Sequence, residues 1–189
     1  MAAIANETIA VFGKGVLQAE GVVIDKEGNA WGGGRNGKVY KVSPDGKVYE
    51  VCQLPEGSIP NGVTLDRAGN FVYCDLGKQA VMRCAPDGKV SQIADRVGEV
   101  KLTLPNFCSY DAEGNLYISN SSTEDISKVL GEITTPSPKG ALVRVRPDGR
   151  GDVVATGLYL ANGTAIDPHE DAVYVLESTR NDCLRIQIK

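Results

Sequence analysis

Apolar and polar residues alternate in short runs along almost the whole chain, and each run stops at a turn rich in Gly, Asp, Asn or Pro. KVYKV is followed by KVYEV, VMRC by KVSQIA, and ALVRV by DVVAT. A period of two over four to eight residues is the signature of a strand with one face buried. The last part of the chain shows the unit clearly. Ala161-Asn162-Gly163 forms a tight turn, Thr164 to Asp167 reads as a strand, and Pro168 to Asp171 as a turn. Ala172 to Glu177 and Cys183 to Ile188 follow as two more strands. Helix signals are nearly absent, so the pattern predicts an all-β protein.

The pattern repeats. EGVVIDKEGN (20–29), NGVTLDRAGN (61–70), NFCSYDAEGN (106–115) and NGTAIDPHED (162–171) each place a polar residue before a short strand that ends in Asp. Asp25, Asp66, Asp111 and Asp167 mark steps of 41, 45 and 56 residues. These aspartates are expected to hold the turn backbone through their carboxylates. A second marker recurs as Ser43-Pro44-Asp45-Gly46-Lys47, Ala85-Pro86-Asp87-Gly88-Lys89 and Arg146-Pro147-Asp148-Gly149-Arg150. Pro-Asp-Gly between β-branched runs predicts a hairpin, with Pro setting φ and Gly taking the left-handed position.

One period therefore holds four strands. In the first they are Val22 to Asp25, Ala30 to Gly33, Lys38 to Ser43 and Lys47 to Gln53. Four antiparallel strands per 40 to 45 residues is the pattern of a β-propeller blade, which buries its faces only by stacking on its neighbours. A β-sandwich would not repeat so regularly. The blades fall at about residues 15–55, 56–97, 98–157 and 158–189 of a single domain, 1–189. The third period is lengthened by the polar insert Ser121 to Lys139, read as a lid or rim, with a helical turn or two between Glu124 and Leu130. The fourth has only three strands. Two readings stay open: Glu7 to Phe12 completes the fourth blade and closes a four-bladed ring, or the chain is the front of a larger ring.

Composition narrows the class. Lys and Arg number 20 against 24 Asp and Glu, a formal charge of −4 with the signs interspersed. A general nucleic-acid binder needs a basic stripe, and none is present. No segment suggests a membrane span or a convincing leader, so a soluble, cytoplasmic protein is expected. Cys52, Cys74, Cys84, Cys108 and Cys183 form no CxxC pair and read as small buried apolar residues. His169 is the sole histidine and there is no G-x-S-x-G elbow, so a serine hydrolase triad is not expected. Glu177 and Arg180 read as a local charge pair, and Trp31 as blade packing.

LPNFCSYDAEGNLYISNSS, GLYLANGTAIDPHEDAVYVLESTR and AEGVVIDKEGNAWGGGRNGKVYKVSPDG together resemble the strictosidine synthase-like branch of the gluconolactonase and senescence-marker-protein (luciferin-regenerating enzyme) superfamily. The resemblance covers nearly the whole chain and implies a six-bladed propeller, of which this sequence matches the first four blades. It implies a polar residue at the start of each innermost strand, facing a central channel, where several bind a divalent cation, usually calcium. The matching positions are Glu20, Asn106 and Asn162 as metal ligands, with Asn61, Phe107 and Asn120 beside the substrate. Carboxylate and amide oxygens suit a hard cation. The implied activity is a lactonase or esterase acting on a small lactone or ester. The family's fifth-blade Asp, and the catalytic Glu of true strictosidine synthases, belong to blades this sequence does not match, so synthase activity is not expected and no catalytic residue is assigned. The rivals are a non-catalytic binding or interaction module, and a partial propeller that self-associates through open blade edges.

Overall fold

Asp25, Asp66 and Asp111 close their turns in the same way. Oδ1 of each accepts two backbone N–H groups, from Glu27 and Asn29, Ala68 and Asn70, or Glu113 and Asn115, while Oδ2 accepts the side-chain amide of that Asn. Asp167 binds the His169 N–H likewise, but Tyr174 supplies its second donor. The predicted hairpins form as well: Gly46, Gly88 and Gly149 all take φ near +80°, the region their lack of a Cβ permits.

These turns join strands in a computed structural model that describes residues 10–124 and 126–189. The first sheet is an antiparallel meander of β1 (Val23–Ile24), β2 (Ala30–Gly33), β3 (Lys38–Val42) and β4 (Val48–Gln53). The second contains β5 (Pro60–Leu65), β6 (Phe71–Asp75), β7 (Ala80–Cys84) and β8 (Val90–Ala94). A small ribbon, β9 (Arg96–Val97) with β10 (Val100–Lys101), leads to the third sheet. That sheet contains β11 (Pro105–Tyr110), β12 (Leu116–Asn120), β13 (Gly140–Val145) and β14 (Gly151–Leu158). β15 (Ala161–Ile166), β16 (Ala172–Glu177) and β17 (Asp182–Gln187) form the fourth. The insert leaves between β12 and β13, as expected. Its helical part lies slightly later than predicted, as a 3-10 turn at Ile126–Lys128 running into α1 (Val129–Thr134).

The sheets stack face to face, and three apolar clusters fill the three seams. Val39, Leu54, Val63, Phe71 and Tyr73 join the first sheet to the second. Val72, Val81, Leu102, Leu116, Ile118 and Val143 join the second to the third. Tyr117, Leu142, Leu158, Val173 and Val175 join the third to the fourth. Each buried aliphatic side chain contributes about 1.5–3 kcal/mol relative to exposure, so a blade is stabilised chiefly by its neighbours. The β9–β10 ribbon, which strand periodicity does not reveal, adds Val97 and Val100 to the middle seam.

The N-terminal segment departs from one of the two readings. Residues 7–9 of the predicted strand lie outside the described residues, and Ala10 to Phe12 form no strand. The segment instead runs along the first sheet: Leu17 O accepts the Arg35 N–H at 3.2 Å, and Phe12 O lies against Gly46. Among the described residues, no fourth strand joins β17. Among them too, no helix is long and apolar enough to cross a membrane.

Candidate functional site

The inner strands β5, β11 and β15 share one irregularity. Register against the neighbouring strand slips between Pro60 and Val63, between Pro105 and Phe107, and between Ala161 and Thr164. Asn61, Asn106 and Asn162 occupy these bulges. A bulge re-aims a side chain and ends regular pairing, so each Asn leaves the sheet plane at the same end of its blade. The sequence places Asn there because Asn tolerates the irregular backbone and brings an amide to it.

Close backbone contact sets these residues side by side. A Cβ on Gly21 would lie 2.8 Å from Asn61 O, and one on Gly62 would lie 2.4 Å from Asn106 O. The order Glu20-Gly21, Asn61-Gly62, Asn106-Phe107 therefore follows the order of the blades. Asn61 Nδ2 donates to Asn106 O at 3.2 Å. Ser119 Oγ donates to Asn162 O at 2.6 Å and accepts the Phe107 N–H at 3.1 Å, linking the next pair. Asn162 Nδ2 donates to Ser178 Oγ at 3.0 Å. Asn61 is buried, Asn106, Phe107 and Asn162 are half-buried, and Glu20 is exposed in coil beside them.

Asn120, which the resemblance places beside the substrate, is turned into the protein instead. It is wholly buried, and its amide is committed to backbone: Oδ1 accepts the Leu104 N–H at 3.0 Å, while Nδ2 donates to Ser122 O at 2.8 Å. Asp75 and Glu177 hold the same slot, the last residue of the second strand, opposite Pro60 and Ala161 as Asn120 is opposite Pro105. Asp75 Oδ1 accepts the Ile59 N–H at 2.9 Å and Glu177 Oε1 the Tyr159 N–H at 2.6 Å. A buried row of polar side chains thus grips the chain just before each bulge. Glu177 is therefore no partner of Arg180, which pairs with Asp182 and lies over the Tyr159 ring. The strand ends FVYCD, LYISN and VYVLE carried the signal for this row, but the three residue types differ.

Among the described residues, the buried Asp75 Oδ2 has no hydrogen-bond partner, and the buried Tyr73 hydroxyl lies beside Ser58. Burial, and then the Asp75 carboxylate, push the Tyr73 phenol well above its usual range, so Tyr73 stays protonated. Ser58 also borders a cleft of about 460 Å³ with Arg35, Asn36, Gln53 and Ile59, at the same end as Asn61. A second cleft, of about 580 Å³, lies at the opposite end between the second and third sheets, lined by Asp66, Arg83, Tyr110, Glu113 and Arg146. It contains none of the bulge residues.

Residues 35–189 match the family model described as SMP-30/Gluconolactonase/LRE-like region. The chain belongs to this family. It is 26% identical over 185 residues to a lactonase of Staphylococcus haemolyticus, covering 92% of this chain and 52% of the relative. It is 27% identical over 121 residues to a gluconolactonase of Zymomonas mobilis, covering 64% of this chain and 34% of that one. The chain thus spans between a third and about half of the length of these relatives. A solved gluconolactonase from Xanthomonas campestris superposes with a TM-score of 0.72 at 19% identity, over 90% of this chain and 58% of the other. Nidogen, in its complex with laminin, gives a TM-score of 0.71 at 16% identity, over 91% and 61%. Both neighbours establish the propeller fold.

The donor set of the row can be tested against the cation this family implies. Because Asn61 faces a carbonyl oxygen, the end of its amide on that side must be the NH2 group. Its carbonyl oxygen is the end left over. Oxygen from Asn61, Asn106 and Asn162 with the Glu20 carboxylate is the chemistry a hard cation takes. Among the described residues, no group of three His, Cys, Asp or Glu side chains converges, so a cation here would have to rest on amide oxygens and one acid.

Proposed function

We propose that the bulge row is the working face of a lactonase-type hydrolase site that takes a small lactone or ester. Glu20, Asn106 and Asn162 would hold a divalent cation, calcium in this reading, with Asn61 beside them. A bound cation of this kind supplies Lewis-acid polarisation of a carbonyl. The half-buried ring of Phe107 gives an apolar surface for the carbon skeleton of the substrate. Asn120, Asp75 and Glu177 act as positioning residues, since they hold the backbone from which the row projects. The observation that carries the reading is the Asn61–Asn106 bond: it commits the Asn61 amide N–H to protein and leaves the amide oxygen as the end not engaged there, beside a second bulge Asn. Family membership supplies the reaction class.

A second reading, a propeller that binds ligands without chemistry, is favoured by the lack of three convergent acidic, His or Cys side chains among the described residues. Thermal melting with millimolar calcium and then with chelator separates the two. A ligand that binds only the folded chain raises the midpoint by mass action. The hydrolase reading expects a calcium-dependent rise that Glu20→Ala abolishes, together with calcium-dependent hydrolysis across a panel of small lactones. Ligand binding that is indifferent to calcium, with no hydrolysis, would establish the binding module instead.

A further inference from the structure

Four of the five cysteines form two pairs, and each pair straddles a seam between blades. Cys74 of β6 has Cys108 of β11 as its side-chain partner, across the seam between the second and third sheets, and both are sealed from solvent. Cys52 of β4 faces Cys84 of β7 across the seam between the first and second sheets, sulfur to sulfur at 2.8 Å. Both of these thiols are free. Cys84 is buried, whereas Cys52 is only half-buried. Cys183 is exposed on β17.

We propose that Cys52 and Cys84 are a site of reversible disulfide formation, driven by exchange with a small-molecule disulfide such as oxidised glutathione. The Cys52 thiolate attacks one sulfur of the reagent, forming a mixed disulfide and releasing one thiolate. The Cys84 thiolate then attacks Cys52 Sγ, forms the Cys52–Cys84 bond and expels the second thiolate. The two thiol protons pass to the two released thiolates, so one small disulfide is reduced to two thiols as two cysteines become one cystine. The geometry decides the order, because Cys52 is the less buried of the pair and Cys84 is placed to resolve it. Burial, and then Cys84, push the Cys52 thiol up to about 12. The thiolate is scarce at neutral pH, so exchange is slow there and speeds up about tenfold for each pH unit gained.

The bond would tie the outer strand of the first blade to the third strand of the second, residues 32 apart in sequence. It would fix the seam on which Gly21 meets Asn61. A cross-link of this kind constrains the unfolded chain and raises the melting midpoint by on the order of 5–10 °C.

The test uses the full chain carrying Cys183→Ser, incubated with oxidised glutathione at mildly alkaline pH, and read by intact mass and peptide mapping. The expected result is loss of two hydrogens, a linked peptide joining Cys52 to Cys84, a raised midpoint, and full return with dithiothreitol. Adding Cys84→Ser should stop the reaction at a glutathione adduct on Cys52. Should that variant fail to fold, the parent map alone decides. A stable glutathione adduct on Cys52 in the parent, or no change at either cysteine, would overturn the proposal.

Discussion

The side chain of Asn61 donates to the main-chain carbonyl of Asn106 at 3.2 Å, across the seam between the second and third sheets. One contact therefore does two things: it joins neighbouring blades and it fixes which end of the Asn61 amide meets Asn106. Asn61→Asp should separate these roles. The carboxylate would bring an acceptor to a carbonyl and lower stability without calcium, by about 1–3 kcal/mol. In the proposed site it also adds a charge for a hard cation, so its calcium-induced midpoint shift should exceed that of the parent. Asn61→Ala should lose about 1 kcal/mol and gain no calcium response. Equal calcium shifts in all three proteins would remove Asn61 from the site.

Two Asn-Gly pairs that look alike in sequence should respond oppositely. A Cβ on Gly62 would meet the backbone of Asn106 and Phe107 at 2.4 and 2.5 Å, whereas one on Gly163 meets only Leu176 Cδ1 at 3.6 Å. Backbone in a packed seam cannot yield cheaply, so Gly62→Ala should cost about 3 kcal/mol. Gly163→Ala lies in ordinary contact, and reduced freedom of the unfolded chain should leave it neutral or stabilising by up to about 1 kcal/mol. Urea unfolding midpoints check both. Equal costs would mean that the seam does not depend on this approach.

Much of this architecture was legible because the strands alternate and the turns carry their own chemistry. β2 and β16 have the predicted bounds, and the Asp turns form the expected bonds. β9 and β10 were not legible, because two residues are too few to show a period. Arg180 looked like a partner of Glu177 because they are three apart, but Glu177 turns inward to the Tyr159 N–H. The row of Asp75, Asn120 and Glu177 escaped notice because acceptor capacity, not residue type, is what the slot requires. Which glycine meets which carbonyl depends on how blades approach one another, and no local pattern encodes that. The cysteines divide for the same reason: Cys74, Cys84 and Cys108 are buried as expected, while Cys52 is half-buried and Cys183 exposed.

Acid should weaken the fourth blade through Asp167. The His169 N–H, bound at 2.8 Å, holds this carboxyl below its usual range; burial opposes that, and the Tyr174 hydroxyl adds to it. A carboxyl depressed in the folded state stabilises fully above its unfolded value of about 3.9, and the contribution disappears as pH falls through the lower folded value. Asp167→Asn retains an acceptor but not the charge. It should melt below the parent at about pH 7, and the gap should close as pH approaches about 3. Melting curves across that range test the sign. A gap independent of pH would mean that the charge contributes nothing.

Among the described residues, a buried side-chain contact between Ser122 and Glu132 ties down the insert of the third blade. Ser122 Oγ donates to Glu132 Oε1 at 2.5 Å, linking the end of β12 to α1, and Glu132 is only 7% exposed. Next to it, Ser121 Oγ donates to Ala161 O at 2.6 Å, one residue before Asn162. The anchor therefore sits where the insert meets the candidate site. Glu132→Ala leaves the Ser122 hydroxyl buried without its acceptor, a cost of about 1–3 kcal/mol confined to this segment. Trypsin should then cut after the exposed Lys128 about tenfold faster or more, while global unfolding moves little. Ser122→Ala alone should act in the same direction, since it strands the Glu132 carboxylate, whose Oε2 has no partner among the described residues. Combining Ser122→Ala with Glu132→Leu removes both polar groups and should restore much of the protection, because matched apolar replacement of a buried pair is nearly neutral. If the double variant is cut faster than either single one, the insert is held by something other than this pair.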